Sequence, residues 1–309
     1  MTRVAVMGEC MIELSELDDR TLGLGYAGDV YNVAVALARW GTEVAFVSRL
    51  GDDHYSEAML EDWRAEGLDT SLTDRLAGYA PGLYMIRTDE RGERSFTYWR
   101  SASPARELLA DDAHAEHVRA GLAGTDWLLL SGISLSLLSA GAHARLLALL
   151  DALSAAGTRV AFDTNYRPIG WPDAETARER MDDVLARTAL ALPTLDDEQT
   201  LHGDRDARDT LRRLAAHGVE EAAVKLGPDG ALVLADGVAE PVPAEPDVEV
   251  VDTTGAGDAF DAGYLHGRLA GLAPADAARE GNRLAAASLR HRGAIVPAEE
   301  MPGPAVAAP

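Results

Sequence analysis

Short runs of aliphatic and β-branched residues alternate along the chain with longer stretches in which apolar positions recur every three to four residues. The short runs fall at 4–7, 44–47, 127–130, 160–162, 190–192, 222–225 and 231–234, and the helical stretches at 29–40, 55–65, 137–153, 175–186 and 206–216. Strands with almost no polar alternation, separated by amphipathic helices, predict a mostly parallel sheet buried between two helical layers, an α/β fold. One interval breaks this rhythm. From 82 to 100 the helical period is lost, and the runs 83–87 and 95–99 flank Asp89-Glu90-Arg91-Gly92, a turn-forming stretch. This predicts an antiparallel hairpin standing off the main sheet, either a lid over a site or a plain edge hairpin. The tail 301–309, rich in Pro and Ala, is expected to fray.

Composition narrows the function. The chain has 309 residues, 47% of them hydrophobic, enough for a sizeable core and against disorder. Its 28 basic and 51 acidic side chains leave a net charge of −23, with an isoelectric point near 4.6. So negative a field repels nucleic acid and anionic membranes, and a phosphate-bearing ligand needs a local electropositive site. The one cysteine, Cys10, cannot form an internal disulfide, and no uncharged apolar run approaches a membrane span, so the expected location is the cytoplasm.

The run Asp252-Thr253-Thr254-Gly255-Ala256-Gly257-Asp258, leading into helically spaced 259–265, supplies such a site. Small residues before a helix leave successive amides open, and with the helix dipole they attract an anion. A carboxylate there is unfavourable beside a phosphoryl group unless it takes a proton, so Asp258 is either a general base or a helix N-cap. Lys225, the only lysine, opens the turn Lys225-Leu226-Gly227-Pro228-Asp229-Gly230 between two strands, which suits either a nucleotide loop or an ordinary hairpin.

Two other patterns are weaker. Gly23-Leu24-Gly25-Tyr26-Ala27-Gly28 matches G-x-G-x-x-G, which would make the chain an NAD-binding oxidoreductase, but it begins about fifteen residues beyond the first strand. His114 and His117 lack zinc-helix spacing. Neither a P-loop nor a nucleophile elbow occurs.

Taken together, these segments resemble the PfkB-type (ribokinase-like) sugar kinases, over residues 4–297. The Asp252–Asp258 run is one signature; the other is Gly28-Asp29-Val30-Tyr31-Asn32, followed by Arg49-Leu50-Gly51-Asp52-Asp53, about 220 residues earlier. The resemblance implies one ribokinase-like domain over 1–309, a three-layer α/β/α sandwich with a small β-sheet lid formed by about 9–27 and 70–102. It implies transfer of a phosphoryl group from MgATP. Asp258 would be the base, and the amides of Gly255, Ala256 and Gly257 an anion hole. Gly28, Asp29, Asn32, Tyr84, Tyr98, Arg100 and Arg167 would hold the sugar. Asn165, Lys225, Gly227 and Gly230, with Gly255 and Gly257, would bind nucleotide. Glu198 would organise Mg²⁺ through water, and Asp252 and Thr254 are candidate ligands of a monovalent cation such as K⁺. Two positions depart from the family pattern: Ala27 stands where a glycine usually precedes Gly28, and Leu195 where an asparagine usually precedes Glu198.

Segments such as Gly8-Glu9-Cys10-Met11, Phe96-Thr97-Tyr98-Trp99-Arg100 and Asp163-Thr164-Asn165-Tyr166-Arg167-Pro168 are closest to the branch that phosphorylates 2-dehydro-3-deoxygluconate on its 6-hydroxyl. Fructose, ribose and 2-dehydro-3-deoxygalactonate are the alternative acceptors. A sugar acid entering an acidic protein needs a cation, and the guanidinium forks of Arg100 and Arg167 lie in the matching segments, unless each is tied up in a surface ion pair. An apolar hairpin face carrying Tyr84, Ile86 and Phe96 would pair with a second copy, giving a dimer through the lid.

Overall fold

The computed structural model describes residues 2–18, 20–88 and 94–307. In chain order the strands are β1 (Arg3–Met7), β2 (Met11–Asp18), β3 (Thr21–Ala27), β4 (Glu43–Gly51), β5 (Thr73–Leu76), β6 (Leu83–Thr88), β7 (Arg94–Trp99), β8 (Trp127–Ser131), β9 (Arg159–Asp163), β10 (Leu190–Ala191), β11 (Glu221–Lys225), β12 (Ala231–Ala235) and β13 (Val238–Val242). The helices are α1 (Asp29–Arg39), α2 (His54–Ala65), α3 (Asp112–Gly121), α4 (Gly132–Leu137), α5 (Ala140–Ala155), α6 (Ala174–Leu185), α7 (Leu195–His202), α8 (Ala207–Ala216), α9 (Ala256–Leu269) and α10 (Pro274–Ser288).

The main sheet runs β13-β12-β11-β10-β9-β8-β1-β4-β5, parallel except for β12 and β13. Its strands are apolar on both faces because both are covered. Ala5 and Met7 pack in one core with Leu128, Leu130 and Leu146, and Val4 and Val6 in the other with Leu129, Phe46 and Tyr264. Aspartate side chains start several helices: Asp53 accepts from the Ser56 amide (2.7 Å), and Asp173 from that of Thr176 (2.7 Å).

A separate four-stranded sheet runs β3-β2-β6-β7. The 82–100 hairpin is present as β6 paired antiparallel with β7; its turn, Asp89–Gly92, lies outside the described residues. The hydrophobic pattern does not mark β3, where Gly23 and Gly25 blur the alternation, nor β2, whose outer half is acidic. Those glycines sit inside β3 rather than in a turn after β1, so the dinucleotide fingerprint has no structural counterpart. Thr73–Leu76 pairs with β4 at the edge of the main sheet, so this part of 70–102 is not in the second sheet.

Three further expectations need correction. The helix expected over 137–153 is α5, which starts later, at Ala140, where the Ser139 hydroxyl accepts from the Ala142 amide (3.1 Å); Leu137 instead ends the short α4, which the pattern does not show. The tail does not fray at 301–305. Trp40 Nε1 donates to the Pro302 carbonyl (2.8 Å), Arg283 to that of Gly303 (2.7 Å), and the Ala305 amide donates to Glu280 (2.9 Å). Tyr84 and Ile86 are buried rather than exposed, because Phe96 and Tyr98 lie opposite them on β7 and cover them. Among the described residues, no helix is long and apolar enough to cross a membrane.

Candidate active site

Open parallel sheets present ligand sites at the carboxyl ends of their strands. Here β8, β9 and β11 end at Ser131, Asp163 and Lys225, and the starts of α1 and α9 converge above them. Asp29, the first residue of α1, accepts from the Ser131 hydroxyl and from Asn165 Nδ2 (3.3 Å). Asn165 holds a positive φ of 32°, a backbone state that asparagine tolerates better than most residues. One turn into α1, Asn32 Nδ2 donates to Asp258 Oδ2 (2.7 Å), while its Oδ1 accepts from the Gly28 amide (3.3 Å). A side chain at Gly28 would not fit, since its Cβ would fall 2.3 Å from the Glu9 carbonyl oxygen.

Geometry excludes the N-cap reading of Asp258. The residue that caps α9 is Gly255, at φ 74°, and no side chain caps this start. Asp258 lies within the first turn with its carboxylate on Asn32. No side chain covers the opening amides of this 14-residue helix, and of those at its start the Ala256 amide donates to the Thr253 carbonyl (3.3 Å), a start open to an anion on its side-chain-free face. Gly255 is required twice over: by its left-handed backbone, and because a Cβ there would lie 2.4 Å from the Ala294 carbonyl oxygen. The helix dipole favours an ionised Asp258, yet its carboxyl titrates at about 7, well above the ordinary carboxylate range. Burial is the main cause; the negative charge of Asp29, and less that of Asp163, adds to it, while the Asn32 hydrogen bond and Lys225 work against it. Burial also raises Asp29.

Arg100 and Arg167 approach from the second sheet and from the loop after β9. The charges of both work against the burial that raises the titration of the Tyr98 hydroxyl, and Asp258 helps hold Arg167 charged. Each arginine already has a carboxylate. Arg100 Nη2 lies 2.5 Å from buried Glu9, and Arg167 Nη1 lies 2.8 Å from Asp197. Every hydrogen bond of Arg167 goes through Nη1, which leaves the other edge of its guanidinium for a ligand. Tyr84 is buried, with its hydroxyl donating to Glu13.

The nucleotide-loop residues divide. Gly227 (φ 57°) and Gly230 (φ 87°) turn β11 back into β12, and Gly230 is also demanded by packing, since a Cβ there would lie 2.2 Å from the Val242 carbonyl oxygen. Lys225 is not part of the exposed turn: its Nζ is buried between Asp261 (2.8 and 3.1 Å) and Asp163 (3.1 Å). Glu198 is wholly buried, ion-paired with Arg213 and accepting from Thr164, next in the chain to Asn165, so its carboxylate is held by protein partners and any influence on Mg²⁺ would pass through them or through water. Both carboxylate oxygens of Asp252 accept main-chain N–H bonds, from Thr254 (2.9 Å) and Gly293 (2.6 Å), the geometry of a turn clamp; this lends no support to K⁺ there. Asp163, Asp261 and Glu9 carried no assignment in the sequence reading. The available signal for Asp261 was its position three residues beyond Asp258, on the same side of one helix.

An uncovered helix start with a high-titrating carboxyl beside it, on the edge of a parallel sheet, defines a phosphotransferase type of site. Residues 1–301 match the model of the pfkB family carbohydrate kinases, and the chain belongs to that family; it is a sugar kinase. It is 43% identical to the 2-dehydro-3-deoxygluconokinases of Dickeya dadantii, over 97% of this chain and 98% of that protein, and of Escherichia coli K12, over 97% and 99%. It is 30% identical to a Klebsiella pneumoniae fructokinase, over 88% of this chain and 83% of that one. Among solved structures, the 2-dehydro-3-deoxygluconokinase of Thermotoga maritima superposes with a TM-score of 0.85 at 22% identity, covering 97% of this chain and 98% of that one. The fold is ribokinase-like.

Proposed function

We propose that the protein transfers the γ-phosphoryl group of ATP to the 6-hydroxyl of 2-dehydro-3-deoxy-D-gluconate. The observation that carries this reading is the meeting of Asp258, held by Asn32, with the uncapped start of α9 on one side and Arg100 and Arg167 on the other. The Asp258 carboxylate takes the proton of the hydroxyl as its oxygen bonds to the γ-phosphorus, and the bond from that phosphorus to the β-phosphate oxygen breaks to release ADP. The amides of Gly255, Ala256 and Gly257 receive the charge of the migrating group. Asp29 and Asn32 orient the sugar hydroxyls, and the two arginines its carboxylate. The turn at Gly227–Gly230 lets the nucleotide approach the main chain. Bound with ATP, Mg²⁺ would supply charge neutralisation of the phosphates, held by those phosphates rather than by a carboxylate cage, since no group of three or more potential metal ligands occurs among the described residues. The second sheet closes over the sugar and keeps water from the phosphoryl group. Its exposed Leu22, Leu24 and Trp99, which share one face, meet a second copy in a lid-to-lid dimer.

The test is ATP consumption with Mg²⁺ against 2-dehydro-3-deoxygluconate, 2-dehydro-3-deoxygalactonate, fructose and ribose. Highest kcat/KM on the gluconate-derived acid is expected. Preference for a neutral sugar would reject the acid while leaving the kinase class standing.

A further inference from the structure

The lysine expected in the nucleotide loop has another place. Lys225, Asp163 and Asp261 are each less than 10% exposed. Lys225 Nζ bonds both oxygens of Asp261 and lies 3.1 Å from Asp163 Oδ2. A Cβ built on Gly257 would have this ammonium, at 3.6 Å, as its nearest neighbour. The three residues come from three elements: the last residue of β9, the last of β11, and the helix face one turn beyond Gly257. A buried ammonium shared by two carboxylates is held in place, because leaving either one uncovered in the interior is costly. It therefore fixes the first turn of α9 to the sheet edge.

We propose that Lys225, pinned by Asp163 and Asp261, is a positioning residue for phosphoryl transfer: it sets the height of the anion-binding turn and supplies the positive charge that opposes the acids around Asp258. This rests on the kinase reading above. The groups that act on Asp258 are Asp29 and Asn32 on α1, Asp163 on β9, Arg167 beyond it, and Lys225 on β11, which Asp261 holds from the next turn of α9. Lys225 is the cation that counteracts Asp163 at this carboxyl, and its removal leaves acids in excess. Asp258 then holds its proton to higher pH.

The test has two parts. In ligand-free protein, the Asp258 carboxyl is titrated by ¹³C NMR, its resonance assigned by its loss in Asp258→Asn. Lys225→Met is expected to move the midpoint up by roughly one pH unit, and Lys225→Arg to leave it near that of the wild type. In turnover assays, Lys225→Met is expected to lower plateau kcat about 10- to 100-fold, with the KM for the sugar acid within roughly threefold, and to move the acid limb up with the NMR midpoint. If Lys225→Met does not fold, the pair Lys225→Met with Asp163→Asn removes the two opposing charges that act on Asp258 and loses the bridge. A low plateau kcat with an unshifted limb is then expected. An unmoved midpoint in Lys225→Met, or full plateau kcat in the paired variant, overturns the proposal. Failure of the kinase reading looks different: wild-type protein turns over none of the sugars, whatever the titrations show.

Discussion

At neutral pH a carboxyl that titrates at about 7 is half protonated, and only the ionised half of Asp258 can accept the hydroxyl's proton. The acid limb of kcat/KM is therefore expected near pH 7, well above the range of an ordinary aspartate. Asp258→Asn keeps the bond to Asn32 within reach and removes the base, so kcat is expected to fall ~10²- to 10⁴-fold in a coupled ADP assay. Stability moves the opposite way. The folded-state titration lies above the ordinary 3.8, so the stabilisation is complete below about pH 4 and lost as pH rises through about 7. Asp258→Asn is thus expected to melt ~2–6 °C above the wild type at pH 8, with the gap closing at pH 4 in a thermal scan. The arginines give a separable effect. Removing the guanidinium that meets the substrate carboxylate is expected to raise the KM for the sugar acid by about 10- to 150-fold, the equivalent of ~1.5–3 kcal/mol, with a fructose-like sugar unaffected. Of the two, Arg167→Ala is expected to cost more, because Arg100 is already largely neutralised by Glu9 at 2.5 Å, whereas only one edge of Arg167 is engaged. Unchanged KM in both variants would remove the carboxylate from the account.

The anion site belongs to the start of an element, and the backbone there leaves no room for substitution. Gly255→Ala combines a positive φ with a Cβ 2.4 Å from the Ala294 carbonyl, so the turn must shift. Folded protein with kcat lowered about a hundredfold is expected, read from circular dichroism and steady-state assays together. Elements of this kind were legible in the sequence for a physical reason: strands covered on both faces are continuously apolar, and the Asp252–Asp258 run is short-range chemistry that a helix start needs wherever it sits. What could not be read depends on distant neighbours. The burial of Lys225 requires knowing that Asp163 and Asp261, far apart in the chain, close around it. Glu198 was legible as a retained acid, but its burial against Arg213 and Thr164 is something no local pattern ties to it. Strand β3 was hidden by its glycines and by packing that leaves Leu22 and Leu24 outside, and β2 by the acidic residues that interrupt its apolar run.

For the whole molecule, a charge of −23 means that a triphosphate and a sugar acid approach a surface that repels both, so attraction is confined to the cleft where an uncovered helix start and two arginines gather. Raising the salt concentration screens that repulsion before it weakens the short-range contacts. The second sheet faces a different problem. Phe96 and Tyr98 lie on one face, where they cover Tyr84 and Ile86, while Leu22 and Leu24 lie on the other and remain 43% and 56% exposed. Packing within one chain leaves these leucines without cover, and a second lid supplies apolar surface of the same kind under a two-fold operation. Sedimentation at micromolar concentration is expected to show a dimer, and Leu22→Glu with Leu24→Glu to yield monomer, since two carboxylates on each lid would then face their own copies. If the dimer clasps the lids, the monomeric variant also closes less firmly over the sugar. Its KM for the acid is expected to rise several-fold while Asp258 keeps its acid limb near pH 7. A wild-type protein that sediments as a monomer would leave those leucines unexplained and remove the lid-to-lid arrangement.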